Sequence, residues 1–174
     1  MTDFNDITPT AGDAANSFEY IFDMCVDPTA EAPEWKNIPD ITGLTPTATP
    51  KQKDGTTYAH KGQTSQDKTG EDFTLSVQIK GIRQADGEFQ DYLVDLIKAA
   101  DSKGQANIVG LRYYDAYSKV LAYQLTASVN WSRANTGNDD LEFFSFEFTG
   151  KGDRVRIESP AAGGEVEPTD PEEN

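Results

Sequence analysis

The sequence has one cysteine and one histidine, so it is short of the side chains that most often ligate metals or carry nucleophilic chemistry. Cys25 has no partner for an intrachain disulfide, which fits a reducing compartment or indifference to redox. A zinc site needs about four Cys, His or carboxylate ligands, and Cys25 and His60 stand far apart. Any Ser-His-Asp or Cys-His arrangement would need His60 as its base, held at hydrogen-bond distance. His60 instead sits in the stretch with the fewest signs of order and reads as an exposed structural residue. Cys25 ends an aromatic run and reads as a small buried hydrophobe rather than a nucleophile. "GKGD" at 150–153 has neither the spacing nor the strand-to-helix setting of a phosphate loop. No cofactor is expected. No apolar run approaches the roughly 20 residues of a membrane span. "MTDFNDITPTAGDAAN" has neither the basic nor the apolar region of a secretion signal, so the sequon at Asn130 carries no weight.

Positive charge is missing at both ends. Residues 1–35 hold eight acids and residues 158–174 hold six, with no Lys or Arg in either. The middle, 36–157, carries 16 acids against 15 bases, so nearly all of the net charge of −15 lies at the ends. Anionic ends repel phosphate backbones and disfavour tight nucleic-acid binding. Most of these acids lack an apolar wall to raise a pKa, so a hydrolytic acid pair finds little support. "NDD" at 138–140 reads as a solvated turn before it reads as a cation site. "RYYDAY" (112–117) mixes one Arg with three tyrosines on both strand faces, which fits a core or interface better than base stacking.

What remains is a chain of 174 residues, enough for one domain with a real core, with 36% hydrophobic residues arranged mostly at period two. Residues 1–16 read as a flexible acidic arm. "SFEYIFDM" (17–24) puts Phe18, Tyr20, Phe22 and Met24 on one strand face. Between 34 and 50 the pattern predicts a short strand near Trp35, a turn at Pro39–Gly43 and a strand at Leu44–Thr49. A stretch without Val, Ile, Leu, Phe, Met or Trp follows, from Lys51 to Asp72. "EDFTLSVQIKG" (71–81) alternates strictly, with Phe73, Leu75, Val77 and Ile79 inward. The period then becomes helical over 87–101, with Asp86 as a cap and Gly104 as a stop. A hairpin, 106–115 and 119–131, comes next. In the strand at 139–150, Phe144, Phe146 and Phe148 share one face, and Leu141 and Phe143 make the other partly apolar and partly covered. "DRVRI" (153–157) either extends that strand or adds one, and 158–174 reads as a disordered acidic tail. The expected fold is mainly β, an antiparallel sandwich or barrel-like domain over 17–157 with one flanking helix and free sheet edges that need a partner.

An ordered set of segments resembles the major tail tube protein of long flexible-tailed (siphovirus-type) bacteriophages. "EWKNIPDITGLTPTATPKQKDGTTY" is similar to the family's early block, and "KTGEDFTLSVQIKG" to the strand that follows its long loop. "FQDYLVDLIKAA" is similar to its single flanking helix, and "RYY…KVLAYQLTASVNW" to its late hairpin. Together they cover about residues 18–157, and none is a catalytic signature.

The resemblance implies a β-sandwich or barrel-like subunit, six of which join edges into a ring, with rings stacked as the conduit for DNA ejection. Closure by symmetry would leave no free strand around the pore. Segment 50–72 would be a long inter-subunit loop that orders on assembly, with Lys53, Asp54, Thr56, Thr57, Tyr58, His60, Lys61 and Lys68 as contacts between subunits or rings. The implied partners are further copies and tape measure, tail tip and tail terminator proteins. Double-stranded DNA would pass through the lumen without specific binding, and no membrane is involved. The implied place is the virion tail, assembled in the host cytoplasm. Three other readings stand beside it: a tube protein of a contractile tail or injection system, a monomeric β-sandwich binding module using Trp35 or Trp131 as a platform, and an enzyme.

Overall fold

The computed structural model describes residues 11, 12 and 14–162. Eight strands form one antiparallel sheet: β1 (Tyr20–Cys25), β2 (Lys36–Asn37), β3 (Ile41–Asp54), β4 (Gln66–Lys80), β5 (Ile108–Asp115), β6 (Ala122–Arg133), β7 (Phe143–Gly150) and β8 (Val155–Arg156). The order is β2-β1-β5-β6-β7-β4-β3, with β8 on β6. Alternation sets the core face: Phe73, Leu75, Val77 and Ile79 of β4 and Phe144, Phe146 and Phe148 of β7 are all buried.

The sheet curls until its inner faces meet. The Phe22 and Phe148 rings lie 5.9 Å apart, although β5 and β6 separate their strands in the sheet. The Phe73 and Tyr113 rings stack at 6.0 Å, again across two intervening strands. At about 4.8 Å per strand step, a flat sheet would hold such pairs some three steps apart. The two ends of the strand order, β2 and β3, are consecutive in the chain, and the crossing between them brings the two edges of the sheet together without pairing them. Ile38 donates its N–H to the Phe22 carbonyl at 2.9 Å, and the Asp40 carbonyl accepts from Lys80 N–H at 2.9 Å. Ile38 between them is buried in the core.

Among the described residues the one α-helix, α1 (Asp91–Asp101), buries Leu93, Leu96 and Ala99 in the same core. Asp91 in its first turn and Lys98 in its last complement the helix dipole. Asn107 Nδ2 serves its orphan C-terminal carbonyls, donating to Ala99 O at 3.0 Å, and reaches Val129 O of β6 at 2.8 Å. The helix starts later than its period predicts because Gln90 is extended and committed elsewhere. Its Oε1 accepts Ile82 N–H and its Nε2 donates to Asp40. Asp86 does not cap the helix; its Oδ1 accepts Glu88 N–H at 3.0 Å. Phe89 lies outside the helix, edge-on to Phe144 at 5.2 Å.

Other expectations are corrected as well. Phe18 does not join the inward face of β1, because a 3-10 turn over Ser17–Glu19 breaks the period and leaves it 59% exposed. Trp35 precedes β2, and Pro39–Gly43 is no turn, since β3 already begins at Ile41. β3 does not stop at Thr49, and 50–72 is not a long loop: β3 and β4 stay paired out to Asp54↔Gln66. Leu141 is exposed ahead of β7 rather than covered. "DRVRI" supplies an additional strand, β8, on Tyr123 and Gln124. The tail does not leave the domain at 158, since Ser159 is buried and its Oγ donates to Asp115 O at 3.4 Å. Residues 1–10, 13 and 163–174, which include most of both expected arms, lie outside the described residues.

A Cβ on Gly81 would stand 2.8 Å from a Phe144 ring carbon and 3.0 Å from one of Phe89. Gly81→Ala is expected to lower stability by about 1–3 kcal/mol through overpacking. Gly43→Ala, with nothing within 4 Å of its Cβ, should be near neutral. Urea unfolding midpoints at unchanged slope are the check.

Candidate functional site

Beyond the Thr74↔Thr149 pair, β4 loses β7 as a neighbour and continues with β3 alone. From Thr49↔Asp72 to Asp54↔Gln66 the two strands form a ribbon about 20 Å long at roughly 3.4 Å per residue. No side chain from 49 to 72 is Val, Ile, Leu, Met, Phe or Trp. A lone two-stranded ribbon is marginal in water, so this arm depends on what anchors its base. Arg154 does most of that. Its guanidinium reaches Glu71 Oε1 at 3.1 Å and donates to Tyr113 Oη at 3.1 Å. It also lies over the Tyr123 and Phe73 rings at 4.6 and 5.2 Å. Arg154 Nε is buried without a hydrogen-bond partner. Lys68 adds a 2.8 Å contact to Glu71, and Lys51 pairs with Asp72 at 2.6 Å. Both involve exposed lysines and contribute little individually.

The tip, 55–65, is built by local hydrogen bonds. Asp54 Oδ1 accepts Thr56 N–H at 2.8 Å, and Thr56 Oγ1 accepts Ser65 N–H at 3.0 Å. The Thr56 contacts hold the Asp54 carboxyl below its ordinary pKa. A 3-10 turn, Tyr58–His60, is closed by a capping box in which His60 Nδ1 accepts Thr57 N–H at 2.9 Å. Lys61 takes the left-handed conformation at φ 50° and Gly62 follows at φ 84°. The turn presents Tyr58 fully to solvent. All eight contact residues expected from sequence thus lie on this one arm: Lys53 and Asp54 at the end of β3, Lys68 on β4, and Thr56, Thr57, Tyr58, His60 and Lys61 at the tip.

A second feature was not legible in the sequence. Below the crossing at Ile38–Asp40, no strand among the described residues pairs β1 with β3. Between them lies an apolar groove of about 550 Å³, walled by Phe18, Tyr20 and Ile21 on one side and Ile41, Leu44 and Pro46 on the other. Pro46 and Pro50 stand four apart on β3, and proline is admissible in a sheet where its missing donor faces no strand. That spacing was the available signal that β3 is an edge.

The remaining candidates are structural. The Cys25 thiol is buried and donates to Asp27 O at 3.2 Å, and burial pushes its pKa up. Asp23 is buried, accepting from Asn37 Nδ2 at 3.0 Å, Tyr114 Oη at 3.0 Å and Arg112 at 3.2 Å. Arg112 also covers the Trp35 ring at 4.1 Å, while its Nε is buried without a partner. Burial first, then the Asp23 charge, pushes the Tyr114 phenol up. "RYYDAY" is therefore divided: Arg112 and Tyr114 serve Asp23, and Tyr113 stacks on Tyr123 at 5.3 Å in the core. Trp131 packs near Phe144 and donates to Asp101 Oδ1 at 2.9 Å, so neither tryptophan is an open platform. Asp140 of "NDD" folds back to accept Gly137 N–H at 3.0 Å. Among the described residues no group of three His, Cys, Asp or Glu could hold a metal, and no helix is long and apolar enough to cross a membrane.

Solved structures share this fold. A chain of the SPP1 tail tube, from a hybrid solid-state NMR and cryo-EM structure, matches at a TM-score of 0.61 and 10% identity, covering 84% of this chain and 80% of that one. The chain has the tail-tube fold. A chain from the tail of an empty GTA particle, refined helically with C6 symmetry, matches at 0.57 and 10% identity, covering 83% and 99%. A chain of the six-fold symmetrised anti-feeding prophage baseplate matches at 0.51 and 12% identity, covering 84% and 97%. No protein-family model and no curated protein matches the sequence. A tail-tube fold is thus recognisable here through backbone geometry at identities too low for sequence comparison to register.

The base of the arm contains a carboxylate whose neighbours favour its charged form. The hydrogen bond from Lys68, then the Arg154 charge, holds the Glu71 carboxyl below its ordinary pKa. A carboxylate depressed in the folded state contributes stability that is present above its unfolded pKa and lost as pH falls through its folded pKa. Amide NMR signals of residues 66–73 are expected to shift toward unpaired values in that acid window, before those of β5 and β6. Glu71→Gln should remove this early step.

Proposed function

We propose that this chain is a structural virion protein that self-assembles into stacked hexameric rings, forming the phage tail tube through which DNA is ejected into the host cell. The observation that carries the reading is the arm. A polar ribbon of about 20 Å, built out of contact with its own core on a tail-tube fold, has its use in contacts with other copies. Burial of such a ribbon against a neighbour covers the open edge of β3, which no strand among the described residues covers. A heterologous contact repeated by rotation closes into a ring, and the same contact with a rise extends into a tube. The C6 and six-fold symmetries of the GTA tail and the anti-feeding prophage baseplate support six copies per ring.

The work is that of a wall and not of a catalyst. The acidic balance fits a conduit that must not hold its cargo, so double-stranded DNA passes without specific binding. Tape measure, tail tip and tail terminator proteins are the expected partners beside further copies. The expected place is the virion tail, after assembly in the host cytoplasm. The flexible-tail reading is preferred because the likeness to the SPP1 tail tube has the higher TM-score. The likeness to the anti-feeding prophage baseplate chain supports the second reading, a tube protein of a contractile tail or injection system.

Negative-stain imaging of the purified protein over a concentration series tests the proposal. Hollow filaments or six-fold rings are expected, and a variant with 55–65 replaced by a two-residue Asn-Gly turn should remain monomeric with unchanged thermal unfolding. Wild-type protein that stays monomeric throughout would reject it.

A further inference from the structure

We infer that the segment following β7 is a strap, and that its Arg154 sets the direction in which the arm leaves the domain. The sheet forks at this point. β7 pairs with β4 only as far as Thr74↔Thr149 and with β6 only as far as Ala127↔Gly150. Beyond the fork β4 continues with β3 as the arm. The chain after β7 continues along β6 as β8, at Gln124↔Val155 and Tyr123↔Arg156. Among the described residues β8 pairs only with β6, so side chains and not a strand ladder join the two limbs.

Arg154 is placed to join them. Toward the arm its guanidinium meets Glu71 Oε1 at 3.1 Å and covers the Phe73 ring at 5.2 Å. Toward β5 and β6 it donates to Tyr113 Oη at 3.1 Å and covers the Tyr123 ring at 4.6 Å. A planar guanidinium holds a carboxylate at its edge and rings at its faces together, which an ammonium cannot do. Its Nε is buried without a hydrogen-bond partner, a cost that a simple surface ion pair avoids by facing water.

The strap is tied on both sides of Arg154. Before it, Lys151 N–H donates to Thr126 O at 2.8 Å, Thr126 Oγ1 donates to Lys151 O at 2.7 Å, and Gly152 turns the chain at φ 92°. After it, Ile157 N–H donates to Ala122 O at 3.0 Å, and the buried Ser159 bonds Asp115 O. The arm has its own point of bending. Its register shifts between Lys51 and Gln52, which pair with Gly70 and Lys68 and leave Thr69 unpaired in the ladder. A bulge of this kind bends a strand pair and disrupts its ladder. Glu71 reaches across it, because Oε2 accepts from Lys68 on the far side at 2.8 Å while Oε1 faces Arg154. One carboxylate thus connects the outer ribbon to the strap. Such coupling is reciprocal: the strap steadies the arm, and the arm steadies a β8 that has only two paired residues.

Spin labels on the full chain read the direction of the arm. Gln63→Cys at the tip and Lys103→Cys beyond the helix are exposed positions, and the native Cys25 is buried. Pulsed distance measurement below the onset of assembly should give one narrow distribution, and Arg154→Gln should lose that single peak. Glu71→Gln, a milder change at a partly exposed site, should lose it as well and serves where Arg154→Gln does not fold. Reciprocity supplies a second reading on the opposite limb. The Ile157 amide should exchange its hydrogen at least about fivefold faster in Glu71→Gln than in wild type. A broad wild-type distribution, a narrow one kept in Glu71→Gln, or unchanged exchange at Ile157 would overturn the inference. Each of these leaves the proposed tube function standing, because both measurements are made on the unassembled chain.

Discussion

Three residues, Ile38 to Asp40, hold the architecture in its shape. A single antiparallel sheet of this length has two end strands, and here they are neighbours in the chain. The crossing must therefore reach from the edge of β1 to the edge of β4 within one short step. It does so by spending one backbone hydrogen bond on each side and burying Ile38 between them. Asp40 is tied to the flanking helix as well. Its carboxylate accepts from Gln90 Nε2 at 3.1 Å and, at very short range, from the Tyr92 hydroxyl. Burial, then Asp40 itself, pushes the Tyr92 phenol well above its ordinary pKa, so the hydroxyl stays a donor. The crossing and the docking of the helix thus share Asp40, the first through its backbone carbonyl and the second through its carboxylate.

The groove and the arm follow from where that crossing lies. Because the chain crosses near the top of β1, only Asp23 and Met24 are paired with β2, and the lower part of β1 has no neighbour on that side. β3 cannot fill the space, since its register with β4 carries it away. The groove is what remains between them. The same register then takes β3 and β4 past the end of β7, and the ribbon that results has no inner face to bury. Its polarity is a consequence: side chains pointing to neither core nor neighbour sit in water in the single chain. Arg154 resolves the junction, giving the last buried ring of β4, Phe73, a cationic cover and the first polar residue, Glu71, a counter-charge.

Reading from sequence succeeds where one strand face is buried. Phe73 to Ile79 and Phe144 to Phe148 alternate because they line the core, and the helix shows its period for the same reason. It fails where strand identity comes only from pairing. From Thr45 to Asp54 every residue of β3 is exposed, so no alternation marks it, and its two prolines read as punctuation. The arm therefore looked like a loop, although its eight contact candidates fall on one structural unit. The groove left no local trace at all, because its two walls come from residues twenty or more positions apart whose separation depends on the crossing. Phe18 illustrates the converse error: its spacing fits the β1 face, yet a 3-10 turn places it at the groove mouth. The Glu71–Arg154 contact, long in sequence and short in space, belongs to the same class of information.

A protein with an open strand edge and an exposed aromatic risks uncontrolled association, and this chain limits that risk in two ways. Prolines at 46 and 50 remove donors from the outer line of β3, which blunts strand-to-strand pairing. The arm bears lysines and acids in place of apolar residues, so it has no hydrophobic face with which to collapse on a like arm. What the edge still admits is a contact made by side chains rather than by repeating backbone hydrogen bonds. Backbone pairing between polar strands tolerates slippage by two residues at small cost, which is the hazard the prolines reduce. The distribution of proline and charge along β3 and the arm therefore works against both strand-to-strand pairing and the collapse of like arms.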